Sequence, residues 1–217
     1  MSKSLYYNTV SSQLLSILQQ LMQAEEFKPF RLVGGTSLSL QLGHRISIDI
    51  DLFTDYNYKS VDFDTIDSHL RKNYNYIDTT NITEVGMGKS YFVGNSADEC
   101  IKLDIYYTDT YIRSAIEKDG IRLAALEDII AMKIEVIYRC GRKKDFWDIH
   151  ELLEKYTIEE MLELHKERYP YSHNRKEILT QLIKFDNADE DFDPVCLKNK
   201  YWEVIKLDLF EIIEPLL

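Results

Sequence analysis

The sequence predicts an α/β fold of the α+β kind: a small mixed β-sheet with flanking helices, followed by an α-helical C-terminal half. Three observations predict it. Segments 47–53 and 100–107 alternate apolar and polar residues with the two-residue period of a strand. A Gly-Gly-Thr triplet at 34–36 separates a short apolar run from a helical pattern. From Leu123 onward the apolar spacing is that of helices, with almost no strand signal. Two units follow from this change of character: a core over 1–115 and a helical domain over 116–217 that closes a cleft against it.

Along the chain, Leu14, Leu15, Ile17, Leu18, Leu21 and Met22 make an apolar stripe that predicts a helix over 8–25, stopped by Pro29. Phe30 to Val33 reads as a short strand and Thr36 to Leu42 as a short helix. In the strand from Ser47 to Phe53, Ile48, Ile50 and Leu52 share one face, and Asp49 and Asp51 share the other. A helix is expected at 61–73 and strands near 76–84, 89–94 and 100–107, with Gly86-Met87-Gly88 as a hairpin turn. Helices are expected at 125–139, 143–155, 158–167, 174–184 and 197–213. The acidic tract Asp186–Asp193 reads as a solvated linker, since it lacks the spacing and glycine of a calcium loop.

Composition bounds the function. The net charge of −11 argues against a protein that coats nucleic acid with one broad basic face, though it leaves room for a local basic cleft. Cys100, Cys140 and Cys196 form no CxxC pair and read as reduced apolar residues, which fits a reducing, cytoplasmic setting. The opening MSKSLYYNTV lacks the apolar core of a signal peptide, and no apolar run nears the roughly 20 residues that cross a bilayer.

Three features carry chemistry. Gly34, Gly35 and Thr36 follow a strand and open a helix. Such a helix start offers unpaired N–H groups and partial positive charge to a phosphate, and glycine permits its close approach. Alone, the triplet fits a plain strand-to-helix turn better than a phosphate site. Asp49 and Asp51, two apart on one strand, point to one side. Adjacent carboxylates call for a cation, and hard oxygen ligands suit Mg2+ held jointly with a nucleoside triphosphate. The pair alone also fits a strand face turned to water. Asp104 adds a third carboxylate if its strand neighbours that of Asp49. Such a triad can hold one or two metals, and Asp104 can serve as general base. Arg45, just before the first acidic strand, is placed to reach phosphate. His44 reads as packing or capping, and His69, His165 and His173 show no ligand spacing.

The stretches Phe30-Arg31-Leu32-Val33-Gly34-Gly35-Thr36-Ser37-Leu38 and Leu42-Gly43-His44-Arg45-Ile46-Ser47-Ile48-Asp49-Ile50-Asp51-Leu52-Phe53 resemble the AbiEii/AbiGii toxin-type nucleotidyltransferases of the DNA polymerase β-like superfamily. The superfamily signature is a Gly-Gly-Ser/Thr, a gap of about a dozen residues, then Asp-x-Asp. Here twelve residues, Ser37 to Ile48, fill the gap. Glu127-Asp128-Ile129-Ile130-Ala131-Met132-Lys133 and Lys144-Asp145-Phe146-Trp147-Asp148-Ile149-His150-Glu151-Leu152-Leu153, with Arg139 between them, are similar to the family's later motifs, so the likeness spans roughly residues 30–153. The resemblance implies phosphate and metal binding at Thr36, Asp49 and Asp51, with Asp104 as third carboxylate. It implies a nucleotide contact for Lys133, with Arg139 and Lys144 as further cations and Asp145 and Asp148 as supporting groups. It implies Mg2+, with Mn2+ as a substitute, an NTP, an RNA or tRNA acceptor and a cognate antitoxin in a toxin–antitoxin or phage-defence pair. Arg139, Arg142, Lys143 and Lys144 would form the basic patch for RNA, with Trp147, Trp202 and tyrosines as stacking surfaces. Two alternatives stay open: nucleotide transfer to a small aminoglycoside-type polycation, which an acidic protein suits, and a non-catalytic NTP- or protein-binding module.

Overall fold

The computed structural model describes residues 4–80 and 85–217. Among the described residues seven strands form one mixed sheet in the order β3-β4-β5-β2-β1-β7-β6. They are β1 (Arg31–Leu32), β2 (Asp49–Thr54), β3 (Tyr76–Thr79), β4 (Gly88–Gly94), β5 (Cys100–Tyr107), β6 (Ile116–Lys118) and β7 (Ile121–Leu123). The central pair β2 and β5 runs parallel, with Asp49 opposite Lys102 and Asp51 opposite Asp104. Since side chains alternate across a strand, this register puts four charged groups side by side on one face.

The other face is apolar. Ile50, Leu52, Leu103, Ile105, Tyr91 and Val93 pack there with Leu14, Leu18 and Leu21 of α1 (Ser12–Gln23) and Ile66 and Leu70 of α3 (Phe63–Asn73). Each such side chain contributes about 1.5–3 kcal/mol when fully buried, so the pattern leaves no choice about which face meets the helices. Ser11 caps α1 by accepting from the Leu14 amide at 3.1 Å.

A second apolar cluster holds α4 (Leu126–Cys140), α5 (Lys143–Leu152), α6 (Ile158–Arg168), α7 (Arg175–Leu182) and α9 (Trp202–Ile213) together. Between the two cores lies α2 (Gly34–Leu42). Its Leu40 joins the sheet cluster, while Leu38 and Leu42 join Ile130 and Ile134 in the helical one. The helix that opens at the glycines therefore binds both halves, and α4 stands across from the charged sheet face.

The structure departs from the expected elements in instructive places. The sheet does not stop at residue 115. Ile116–Lys118 and Ile121–Leu123 form a hairpin whose second strand runs parallel to β1. Its turn residues Asp119 and Gly120 both have positive φ, 52° and 76°, as a two-residue hairpin requires. Strand β2 begins at Asp49, so Ile48 lies outside the ladder and is 67% exposed instead of sharing the face of Ile50. Strand β3 ends at Thr79; the expected continuation to 84 falls largely on 81–84, outside the described residues. Gly86-Met87-Gly88 is not a turn tip: Gly88 opens β4, and the Met87 carbonyl accepts from the Tyr107 amide at 2.8 Å. The acidic tract is more than solvated linker. It contains the short helix α8 (Asp186–Asp189), Asp193 pairs with Lys143 at 3.0 Å, and Asp189 accepts from the Trp202 indole at 2.6 Å. Three cysteines are free. Among the described residues no helix is long and apolar enough to cross a membrane.

Candidate active site

A cleft of about 220 Å³ opens between the charged sheet face, the start of α2, and helices α4 and α5. Gly34, Gly35, Asp49, Asp51 and Asp104 line it from the sheet side, and Lys133, Arg142, Lys144 and Asp145 from the helical side. Several other hollows are roomier, and two of them, of about 480 and 610 Å³, lie beside Tyr58 and Lys89 and beside Asp109 and Tyr171. The first sets Asp62 and Asp64 at the start of α3, but no glycine opens that helix and Asp62 is committed to capping it, and the second is lined by no helix start, so size does not select the site; chemistry does.

Gly34 is fixed in two ways. Its φ of 66° is left-handed, and any Cβ would overlap the Asp51 carboxylate. The α2 start is therefore pressed against the acidic strand, with the first helical amides beside the cleft and without intrahelical partners. Gly34→Ala is expected to cost about 1–2 kcal/mol in backbone strain and to push Asp51 out of place. A thermal melt and a turnover assay on the purified variant check this; wild-type values in both would show that the contact is not needed.

Asp51 bears the cost of the arrangement. Burial, then the neighbouring charges of Asp104 and Asp49, push its carboxyl up to about 6. Asp104 Oδ2 is ion-paired with Lys102, while its Oδ1 is buried without a hydrogen-bond partner. Lys144 Nζ stands 3.7 Å from Asp49 Oδ2. Burial, then the repulsion of Arg142, pulls the Lys144 ammonium below its ordinary range, with Asp49 opposing. Among the described residues no three His, Cys, Asp or Glu side chains are gathered tightly enough to be a ready-made metal cluster. The donor set nevertheless fits a hard divalent cation: three carboxylates on two paired strands, one strained towards its neutral form and one with an orphaned oxygen.

Beneath the cleft lies a buried ion network. Asp148 accepts from Arg45 Nε at 2.6 Å, Arg45 Nη2 at 2.8 Å and His44 Nε2 at 2.7 Å, and pairs with Lys133 Nζ at 2.7 Å. Lys133 also donates to Asp145 Oδ1 at 2.6 Å, and Asp145 Oδ2 accepts from the Arg142 amide at 3.0 Å. Burial opposes the Asp148 charge, yet Arg45 and Lys133 outweigh it and hold its carboxyl well below the usual carboxylate range. Asp145 and Asp148 sit three apart on α5, one helical turn, which is why both reach Lys133.

The structure thus brings Gly34, Gly35, Asp49, Asp51, Asp104, Lys133, Lys144 and Asp145 to one place and sorts the rest differently. The Thr36 hydroxyl does not face the cleft. It is buried and bonded to the Asp49 carbonyl and to Ser47 Oγ at 2.8 Å, so it fixes the start of β2. Arg45 is 2% exposed and committed to Asp148, under Gly35, so it is not a free phosphate ligand. Lys133 lines the cleft but is 7% exposed, not an open-cleft lysine. Arg139 does not line the cleft. Six residues past Lys133, it lies roughly 240° around α4, pairs with Glu135 and borders the hollow at Asp109. Arg142 joins Lys144 at the rim instead. Of the expected stacking surfaces, Trp147 and Trp202 are buried core, 2% and 7% exposed, and Lys143 is buried against Asp193. His44 packs as expected, and His165 is buried between Glu135 and His173. Sequence reasoning passed over Lys102 and the apolar wall of Phe53, Met132 and Val136. The alternation of β5 already put Lys102 on the face of Asp104.

A two-carboxylate strand beside a third, facing a glycine-opened helix across a cationic cleft in a mixed sheet, defines the class: the chain is a nucleotidyltransferase. It matches the family model described as "Nucleotidyl transferase AbiEii toxin, Type IV TA system" over residues 16–215, and it belongs to that family. It is 29% identical over 191 residues to the protein aq_aa25 of Aquifex aeolicus strain VF5, covering 82% of each chain. Among solved structures it is similar to JHP933 from Helicobacter pylori, with 21% identity, TM-score 0.58 and coverage of 95% of this chain and 92% of that one. It is also similar to MenT4, a nucleotidyltransferase toxin of Mycobacterium tuberculosis H37Rv, with 15% identity, TM-score 0.55 and coverage of 93% and 83%. At these identities the two structures speak to the fold.

Proposed function

We propose that the protein transfers a nucleotide from an NTP to an RNA acceptor, such as a tRNA 3′ end, as the toxin of a toxin–antitoxin pair. The observation that carries this reading is the register of Asp51 with Asp104 at the foot of the Gly34-Gly35 helix start, inside one cleft. Asp49, Asp51 and Asp104 would hold Mg2+, or Mn2+ in its place. When bound, the ion neutralises charge that develops on the triphosphate as pyrophosphate leaves. The α2 start would receive the triphosphate, with Lys144 and Arg142 supplying positive charge from the opposite wall. Lys133 would act from below, its ammonium kept protonated by Asp145 and Asp148. The apolar wall of Phe53, Met132 and Val136 would pack the base.

In the reaction the acceptor hydroxyl oxygen bonds to the α-phosphorus. The bond from that phosphorus to the α,β-bridging oxygen breaks, and pyrophosphate departs with its electron pair. Asp104 would take the hydroxyl proton, directly or through a metal-bound oxygen. Basic groups at the mouth are few, but Arg142, with its side chain 62% exposed, and Lys144 give the cleft a local positive rim despite the net charge of −11.

The test is incubation of the purified protein with each α-labelled NTP, Mg2+ and total RNA, and separately with an aminoglycoside. Label on RNA is expected, from one NTP above the others. Label only on the aminoglycoside would overturn the RNA acceptor. NTP binding without any transfer would overturn the catalytic reading.

A further inference from the structure

One cation rises from the sheet floor of the cleft among the described residues: Lys102. The β2–β5 register sets it opposite Asp49, one position along the same face from the Asp51–Asp104 pair. Its ammonium is ion-paired with Asp104 Oδ2, and the second oxygen of Asp104 stays buried and unpartnered. Lys144 approaches Asp49 from the opposite wall. The three carboxylates therefore carry a protein-supplied counter-charge at the position where a shared metal ion would have to bind.

The two lysines deep in this region are held differently. Lys133 is clasped by two carboxylates at 2.6 and 2.7 Å, its side chain 8% exposed. Lys102 has one partner and a side chain 41% exposed, so nothing encloses its four-carbon stem. Such an ammonium can leave its carboxylate at small cost, because a half-exposed ion pair is worth little against water. Lys133 cannot.

Resting on the reading that Asp49, Asp51 and Asp104 hold the metal, we propose that Lys102 is a displaceable internal counter-ion: it occupies Asp104 in the metal-free protein and is expelled when a divalent ion binds. Lys102 is then a positioning residue. It keeps the acidic strands from repelling each other before the metal arrives, and it sets a threshold on metal affinity, since each ion bound must first displace an ammonium. Once released, the ammonium remains on the cleft floor, where the triphosphate brings negative charge. A metal that arrives with a nucleotide thus meets less opposition than a metal alone.

Binding of Mn2+ to the full chain without nucleotide tests this, with free Mn2+ followed by electron paramagnetic resonance. Lys102→Met keeps the stem and removes the competing charge, and it should tighten Mn2+ binding by about tenfold. Lys102→Arg keeps the charge and should stay within about twofold of wild type. Lys102→Gln serves as the second charge-removing variant, and a thermal melt of each protein establishes that it is folded. Loss of a nearby positive charge favours a cation even without displacement, so displacement is read separately: the lysine 15Nζ resonance assigned to Lys102 by its absence from Lys102→Gln should shift when Mg2+ is added to wild type, and an unmoved resonance would overturn the counter-ion role. Unchanged or weaker binding in folded Lys102→Met and Lys102→Gln, with Asp51→Asn still abolishing Mn2+ binding, would overturn the counter-ion role and leave the metal site standing. Mn2+ binding that survives Asp51→Asn and Asp104→Asn unaltered would show that the ion sits elsewhere, and both readings would fall together.

Discussion

Replacing Asp51 by asparagine should extinguish nucleotide transfer and, in metal-free buffer, raise the melting temperature. The two effects have one cause. Asp51 lies with Asp49 and Asp104 on a face where burial and like charge push its carboxyl up to about 6, from 3.8 when unfolded. For an acid with a raised folded value, the native state binds the proton more tightly than the unfolded chain does. Stability therefore falls as pH rises from about 4 to about 6, and the full penalty is present at pH 7. Asparagine keeps the size and removes the penalty. Each kcal/mol regained is worth roughly 2–4 °C for a chain of this length. The gain should be largest at pH 7–8 and should vanish towards pH 4, which differential scanning calorimetry with EDTA across that range will show. Activity moves the other way. Loss of one metal-binding charge in the transition state should cost at least about a hundredfold in rate, and Asp49→Asn should do likewise. Wild-type turnover in either variant at saturating Mg2+ would falsify the catalytic assignment, and an Asp51→Asn protein that melts below wild type at pH 7 would show that the carboxylate is not strained.

What could be read from the sequence is what is local along the chain. The alternation over 49–54 and 100–107 is a local property, so the acidic face was legible, and so was the third carboxylate once the two strands were taken as neighbours. The glycine-opened helix was legible for the same reason. The β6–β7 hairpin was missed because three-residue strands give no measurable period, although Asp119-Gly120 between Lys118 and Ile121 is a hairpin signal. The side chains that went astray are those whose partners lie far along the chain. Thr36 turns to the carbonyl of Asp49, and Arg45 turns to Asp148, 103 residues away. Charged residues near a phosphate motif invite a ligand role, yet a buried guanidinium with a bidentate carboxylate partner is already satisfied. Arg139 was a different failure. Helical phase sets it about 120° from Lys133 but only about 60° from Val136, so periodicity alone did not remove it; its ion pair with Glu135, one turn back, does.

The largest loss of stability should come from Asp148, not from any residue that lines the cleft. Its side chain is fully buried and takes hydrogen bonds or ion pairs from Arg45, His44 and Lys133. Asp148→Asn preserves the shape but leaves Arg45 buried without an anion and Lys133 with Asp145 alone. Breaking one side of such a network costs roughly 3–5 kcal/mol, or about 6–20 °C in melting temperature. Lys133→Ala should also destabilise, contrary to the expectation for an open-cleft lysine, because it leaves Asp145 with only Arg142, 3.7 Å away, as its cation and removes packed stem. Since the Asp148 carboxyl is held well below its unfolded 3.8, its contribution is present above that value and is lost only in stronger acid. The double variant Lys133→Ala with Asp148→Asn decides whether the network is coupled. Removing both charges removes their mutual debt, so urea unfolding should show a double loss smaller than the sum of the single losses by about 0.5–3 kcal/mol. Strictly additive losses would mean that Lys133 and Asp148 stabilise the fold independently. Loss of NTP binding in a folded Lys133→Ala protein, assayed well below its melting temperature, would then separate the lysine's proposed part in binding from its part in folding. With the lysine gone, Asp148 keeps Arg45 and Asp145 keeps only the more distant Arg142, so one net negative charge is added beneath the triphosphate site, and Lys133→Arg should restore stability in part but binding less, because a planar fork cannot sit between two carboxylates as a compact ammonium does.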